Sequence, residues 1–271
     1  MEYLTPNSHL TTTLPSYKNP PINEVVCGML FQTPENIRIP HIGLLWDKFR
    51  REYPIIQHAM PIAGTKGQIL IDNVTGLPTQ RVWFVNKADD QLIQFQFDRF
   101  YFNWRCRENG YPRYSHVIKN FQKAQDTIEN FFKEFDLGEL RPTGYELSYI
   151  NHIPKGQGWN TLDDLSKVFT DFVWKDKIGR FLPTPVNITW QTTFPLSEAK
   201  GHLIVTLKQG TRVNDKIPLL LLELTARGID ESKNKKALRE WFDLAREWIV
   251  RGFADLTSSE VQKVYWERED G

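Results

Sequence analysis

The sequence predicts an α+β fold of two tandem β-α-β-β-β-α lobes, each an antiparallel sheet with helices on one face. First, the same order of elements occurs twice in the 271 residues: a strand, a short helix, three strands and a long helix. Second, each long helical segment has apolar residues at intervals of three and four. Third, apolar and polar residues alternate along the strand segments. The predicted organisation is a flexible N-terminal arm at residues 1–21, a first lobe at 22–138 and a second lobe at 139–271.

The arm is predicted from four prolines that lie among Thr, Ser and Asn residues before residue 22, because this composition cannot bury a core. The residues from Glu24 to Gln32 then alternate between two faces, one of which is apolar, and this pattern predicts the first strand. After Pro40, apolar spacing predicts a short helix that ends before Pro54, since the residue preceding a proline disfavours helical geometry. These elements open the first lobe.

The rest of the first lobe is predicted as a three-stranded meander and a long helix. Strands at 81–86, 92–97 and 100–105 are separated by short turns, as in two consecutive hairpins. An aromatic stripe at helical spacing then predicts a helix at 115–135, and Gly138 ends the lobe.

The second lobe repeats this order of elements. Thr161 and Asp164 have the spacing of a capping box at the start of its short helix. The predicted elements are a strand at 145–153, a helix at 162–172, strands at 186–194, 203–208 and 219–227, and a helix at 238–256. The halves share no residue-level identity, so the predicted duplication depends on the order of elements alone.

Composition excludes several classes of protein. The 34 basic residues nearly balance the 33 acidic ones, so no global field attracts nucleic acid, a membrane or an acidic substrate. The only cysteines, Cys27 and Cys106, form no CxxC motif, which excludes a cysteine-rich zinc site and suits a reducing compartment. Without a membrane-length apolar stretch or a secretory signal at its start, the sequence predicts a cytoplasmic protein.

Alternation along the strands places polar residues on one side of each predicted sheet. In the first lobe these are Gln94, Gln96, Tyr101, Asn103 and Arg105; in the second they include Asn187, Thr189, Gln191, Lys208 and Arg227. Such surfaces can hydrogen-bond a polymer, a peptide or a partner protein. The alternative interpretation is an ordinary solvated sheet face.

A second candidate is a corner where arginines and aromatic residues alternate. It contains Arg105, Arg107 and Arg113, together with Trp104, Tyr111 and Tyr114. Guanidinium groups bind phosphate or carboxylate through two parallel hydrogen bonds, and rings can stack on bases. In the alternative interpretation the rings are edges of the core, and the arginines pair with Glu108 and Asp98.

Other local signals are weaker, and no catalytic residue, metal site or cofactor is predicted. The loop 155–159 precedes a capped helix, where backbone N–H groups favour an anion, but it lacks the remainder of a phosphate-loop motif. His152, at a strand end, has no nucleophile partner in the sequence. A basic group indicates either a solvated turn or a nucleic-acid contact: Lys233, Lys235, Lys236 and Arg239.

Three motifs together resemble a sporadically distributed family of uncharacterised bacterial proteins. They are a PPIxE opening, a DRFxxNWR strand and the Tyr-Pro-Arg-Tyr segment before the first long helix. The matching residues are Glu24, Asp98, Arg99, Asn103, Trp104, Arg105, Arg113 and Tyr114. The resemblance implies no established activity or cofactor. The patchy distribution of that family implies genes carried by mobile elements or defence islands.

These observations favour a non-enzymatic cytoplasmic binding protein that recognises a partner protein, with an antitoxin, immunity or phage-defence accessory role. One alternative is a nucleic-acid-binding protein with a saddle-like duplicated sheet, in which the arginines, Lys208 and Arg227 meet phosphates. Another is an enzyme acting on a phosphorylated or nucleotide-like molecule in a cleft between lobes, using Arg105 and His152. The nine Trp and seventeen Phe residues exceed ordinary usage, and large apolar patches outside the core would favour a homodimer or a chaperone-like client surface.

Overall fold

A computed structural model describes residues 13–63, 69, 71, 75–108, 110–174, 180–229 and 235–269. The chain divides into two compact units. The 24–146 unit is continuous, whereas the second, called the split unit, contains the residues up to Asn23 together with those from Leu147 onward. Both units combine antiparallel strands with helices, so the predicted α+β class is confirmed.

The elements follow one another along the chain as follows: β1 Ser16–Tyr17, β2 Ile22–Phe31, α1 Ile39–Phe49, β3 Ile55–Ala59, β4 Arg81–Val85, β5 Gln91–Gln96, β6 Arg99–Arg105, α2 Tyr114–Glu134, β7 Pro142–Pro154, α3 Leu165–Val168, β8 Thr189–Pro195, β9 His202–Thr211, β10 Pro218–Gly228, α4 Lys235–Leu256, α5 Ser259–Val264 and β11 Arg268–Glu269. The elements without a counterpart in the predicted order are short ones: β1, β3, α5 and β11. The predicted helix at 162–172 ends early, because Phe169 is extended and forms a β-bridge with Thr257.

In the 24–146 unit the strands lie in the order β3-β4-β5-β6-β2, all antiparallel. Both helices cover the same face. The Phe121 ring of α2 stacks on Phe100 of β6 at 5.2 Å, and Phe49 of α1 lies 6.0 Å from Phe84 of β4. The aromatic stripe of the sequence therefore forms the core of this unit, where burial of each ring stabilises the fold by about 2–3 kcal/mol.

In the split unit the order is β7-β10-β9-β8. The Oγ atoms of Ser148 on β7 and Thr225 on β10 are 2.8 Å apart, and Asn151 Nδ2 donates to the Leu222 carbonyl at 3.0 Å. Residue numbers thus rise on one strand as they fall on the other, as in an antiparallel pair. Helix α4 packs against β10 and β9 through its apolar stripe.

The two units share a strand order, because in each the opening strand lies beside the last strand of the meander: β2 beside β6, and β7 beside β10. A duplication remains a prediction. The units divide between Glu146 and Leu147, whereas the sequence places its lobe boundary after residue 138. The capping box is confirmed, since Asp164 Oδ2 accepts the Thr161 N–H at 3.0 Å.

The predicted arm at 1–21 contains β1, which pairs with β11; its residues 1–12 lie outside the described residues. Tyr17 of β1 is only 6% exposed. Its ring meets Phe253 edge to face at 5.5 Å, and its hydroxyl donates to Gln262 Oε1 at 3.1 Å. Residues 16 and 17 of the predicted arm are thereby attached to β11 and to the helix that contains Gln262.

Burial raises the pKa of Tyr17 to about 12. Below pH 10 the hydroxyl is protonated in both states, whereas between about pH 10 and 12 only the unfolded chain ionises, so this contribution to stability is lost as pH rises. Between about pH 10 and 12 we expect the free energy of unfolding to fall less in Tyr17→Phe than in the wild type. The difference between the two losses should reach up to about 2 kcal/mol. Urea titrations from pH 8 to 12 measure the slopes, and equal slopes would contradict the assignment.

Candidate functional site

The polar residues predicted on one face of the first sheet do share that face. Gln94 lies directly opposite Tyr101, and Tyr101 lies opposite Gly28 of β2. These side chains are nevertheless buried: Gln96 is 1% exposed, Asn103 3% and Tyr101 4%. They contact other polar groups of the 24–146 unit rather than solvent.

A directed set of hydrogen bonds, here called the Arg81–Glu24 network, explains how amides are tolerated at this depth. Arg81 Nη1 donates to Gln94 Oε1 at 3.1 Å. Gln94 Nε2 then donates to Asn103 Oδ1 at 2.8 Å, and Asn103 Nδ2 donates to Glu24 Oε1 at 2.6 Å. Each amide accepts on the side of the cation and donates towards the carboxylate, so the dipoles align and reinforce one another.

Trp83 lies between two guanidinium groups of this face. The Arg81 guanidinium carbon is 5.6 Å from the Trp83 ring centroid and that of Arg105 is 5.9 Å away. Burial lowers the pKa of both arginines, and Asp89 acts in the opposite direction on Arg105. The electron-rich ring supplies an attraction that partly replaces lost hydration.

Gln96 attaches the segment after β3 to the sheet. Its Oε1 accepts the Ile62 N–H at 2.9 Å and its Nε2 donates to the Ile62 carbonyl at 3.1 Å. The same Nε2 lies 3.0 Å from Asp98 Oδ1, and Asp98 accepts two hydrogen bonds from Arg99. The described contacts of Gln96 therefore hold the fold together.

The predicted arginine corner is organised around Asp89. Arg107 Nε and Nη2 donate to Asp89 Oδ2 at 2.9 and 2.7 Å, and Arg105 Nη2 donates to the other oxygen. Within the described residues the shared carboxylate is thus Asp89, whereas the alternative interpretation of the sequence named Glu108 and Asp98. Arg105 also interacts electrostatically with Glu24 and Asp90, so the corner carries several carboxylates beside its arginines.

The aromatic residues of the corner belong to the core. Trp104 is 2% exposed and Tyr114 5%, and the Tyr111 ring lies 5.3 Å from Trp104. Arg113 is exposed and precedes α2 with a φ of 73°, in the left-handed region that costs a non-glycine residue free energy.

The predicted polar residues of the split unit lie at a solvent-exposed face. Thr189 is opposite Lys208, and Gln191 is opposite Thr206. Thr189, Gln191 and Lys208 are exposed, and Thr206 is half-buried. On the other side of the same strands Leu203, Val205 and Leu207 are buried.

We call the exposed side the open face, and its members are Thr189, Gln191, Thr193, Ile204, Thr206, Lys208, Leu221 and Arg227, together with half-buried Glu223 and buried Thr225. Ile204 and Leu221 are half-buried within it, and Arg227 is exposed. Asn187 is exposed just before β8, where its Oδ1 accepts the Ile188 N–H at 2.9 Å. This face combines hydroxyl, amide and cationic groups with apolar surface.

The remaining sequence signals have local roles. In the 155–159 loop the Gly156 N–H donates to the Trp159 carbonyl at 2.8 Å, which closes a turn. Burial, and more weakly Arg212, lowers the pKa of half-buried His152. No group of His, Cys, Asp or Glu in the described part of the chain could hold a metal ion.

In the basic group at the start of α4, Lys236 lies 3.8 Å from Glu240, and Arg239 lies 3.0 Å from Asp243. Lys233 lies outside the described residues.

The sequence interpretation missed Arg81, Trp83 and Asp89. Arg81 and Trp83 alternate on β4, so the period-two pattern that identified Gln94 and Gln96 could also have identified them. Asp89 lies in a turn with a φ of 57°, and the hairpin of β5 and β6 brings this turn beside Arg105 and Arg107.

The chain matches no protein-family model, no curated protein and no solved structure. The resemblance to a bacterial family therefore remains a prediction. None of the helices in the described ranges is long and apolar enough to cross a membrane.

Proposed function

We propose that this chain is a non-enzymatic binding protein that recognises a partner protein through the open face. One observation carries the proposal: Thr189, Gln191 and Lys208 are exposed side by side. The polar face of the 24–146 unit instead directs its side chains towards one another, as in the bond from Gln94 to Asn103. The open face is therefore the predicted polar surface that a partner can reach.

The chemistry of the open face suits a protein. Half-buried Ile204 and Leu221 each provide apolar surface, and Thr206 and Glu223 lie on the rung between them. Protein interfaces combine apolar and polar area in this way. Lys208 and Arg227 favour a partner with acidic residues at matching positions, because complementary charges accelerate association and exclude wrong partners. An antitoxin, immunity or phage-defence accessory role would use such a surface.

The nucleic-acid hypothesis has less support. It requires several cations to meet phosphates, but Arg105 and Arg107 already share Asp89. Phosphate contacts dominate the affinity of such complexes, so each paired arginine would first have to leave its carboxylate. Nucleic acid is therefore the competing outcome in the experiment below.

We expect Lys208→Glu to weaken capture of the partner at least tenfold, about 1.4 kcal/mol, since it places a repulsive charge on the open face. Tagged protein is incubated with native-host lysate, with and without nuclease, and the affinity of the retained protein is then measured. Lys236→Glu is the matched control, because Lys236 is an exposed cation on α4.

Equal affinity for the wild type and Lys208→Glu would contradict use of the open face. Material that nuclease removes, with a binding constant that falls steeply with salt, would indicate nucleic-acid binding instead.

A further inference from the structure

Strand β8 forms one edge of the split unit's sheet, and its backbone has two distinct sides. The Gln209 N–H donates to the Ile188 carbonyl at 3.2 Å, and the register pairs Trp190 with Leu207. Bonded pairs alternate along an antiparallel ladder. The even-numbered residues of this segment therefore bond to β9, and the N–H and C=O groups of Thr189, Gln191 and Thr193 point away from it.

In the described part of the chain, no strand pairs with this outer side of β8. Exposed edges are usually protected by a charged residue, a proline or a bulge that prevents pairing. Strand β8 reads Thr-Trp-Gln-Thr-Thr-Phe-Pro, so it contains no charge, and its one proline, Pro195, stands at the end. Threonine and aromatic residues also favour the extended conformation.

We propose that β8 pairs antiparallel with β8 of a second copy of this chain, with the two-fold axis at Gln191. Thr189 of one copy then lies opposite Thr193 of the other, and Gln191 lies opposite itself. The outward backbone groups of these three residues on each strand would form about six hydrogen bonds across the interface. The contact is isologous, so it closes as a dimer rather than continuing as a filament.

The composition of the strand favours a second copy over a charged partner strand. In this register hydroxyl meets hydroxyl at Thr189 and Thr193, and amide meets amide at Gln191. Phe194, which is 37% exposed, lies opposite half-buried Ile188 of the second copy, so apolar groups meet at both ends. No like charges are brought together, and polar cross-strand pairs of this kind stabilise sheets.

The dimer does not depend on the proposed function, because it uses the backbone edge of β8 rather than the partner-binding role of the open face. It would extend that face across the two-fold axis and present it twice. A partner with two copies of its own binding surface would then gain avidity without any new contact.

Charge substitution at the axis tests both the interface and its register. Gln191→Lys places lysine opposite lysine, and Gln191→Glu places glutamate opposite glutamate. We expect each variant alone to dissociate at least tenfold more readily than the wild type. An equimolar mixture should recover the dimer, because lysine then faces glutamate. Sedimentation velocity over a concentration series distinguishes the 31.8 kDa chain from twice that mass.

Two further variants keep the test specific. Gln191→Pro removes an outward N–H without removing a bond to β9, and it should also give monomer. Gln57→Lys adds the same charge to exposed β3 of the other unit, and it should leave the dimer intact.

Any one of three results would overturn the proposal. The wild type could be monomeric at every concentration, Gln191→Lys could leave the dimer unchanged, or the mixture of the two charge variants could fail to form dimers. Because Lys208→Glu tests partner capture and Gln191→Lys tests self-association, the two proposals can fail separately.

Discussion

Replacing Asn103 with leucine should lower the free energy of unfolding by about 2–3 kcal/mol. Asn103 is 3% exposed and joins Gln94 to Glu24 within the Arg81–Glu24 network. Leucine has a similar volume but no polar atoms, so the buried Gln94 amide and the half-buried Glu24 carboxylate each lose one hydrogen-bond partner. The penalty is desolvation without compensation rather than a cavity. Urea unfolding monitored by circular dichroism measures the loss.

Two controls make this prediction specific. Asn187→Leu changes an exposed asparagine in the same way and should alter stability by no more than about 0.5 kcal/mol. In a double-mutant cycle of Asn103→Leu with Glu24→Gln, the combined loss should be smaller than the sum by at least about 1 kcal/mol, because both changes affect the same hydrogen bond between Asn103 and Glu24. Additive losses would show that the network is not coupled.

Replacing Gly201 with alanine should cost about 4 kcal/mol or more. Gly201 has a φ of 134°, and an added Cβ would lie 2.7 Å from the Gly228 Cα and still closer to the Arg227 carbonyl oxygen. The obstructing atoms are backbone, so no rotamer change relieves the contact. The turn before β9 and the end of β10 would have to separate, which breaks packing around both.

Gly43→Ala is the matched control and should have the opposite sign. Gly43 lies within α1, and an added Cβ there would meet nothing within 4 Å. Alanine lowers the entropy cost of helix formation, so we expect a gain of about 0.5–1 kcal/mol. Thermal and urea unfolding of both variants test the pair, and a Gly201→Ala loss below about 1 kcal/mol would contradict the prediction.

Periodicity predicted the long elements because it depends only on which residues face a core. The stripe containing Phe121 identified α2, and alternation identified β4, β5 and β6. Strand β3 escaped, since its sequence, Ile-Ile-Gln-His-Ala, does not alternate between apolar and polar residues.

The candidate sites were less predictable. Alternation places Gln94 and Asn103 on one side of a sheet, but the depth of that side depends on contacts between distant segments. Gln96, for example, bonds to Ile62 across a separation of 34 residues. The role of Asp89 likewise depends on how the turn after β4 meets the end of β6.

The pairing of β1 with β11 affects how the protein folds during translation. Tyr17 leaves the ribosome 245 residues before Gln262, its hydrogen-bond partner. At roughly 5–20 residues per second, β1 waits about 10–50 s for that partner to be synthesised. All residues of the 24–146 unit have emerged by then, so this unit can fold on the ribosome while Tyr17 remains solvent-exposed. The nascent chain therefore presents an unpaired β1 to chaperones and proteases until the segment containing Gln262 and β11 has been synthesised.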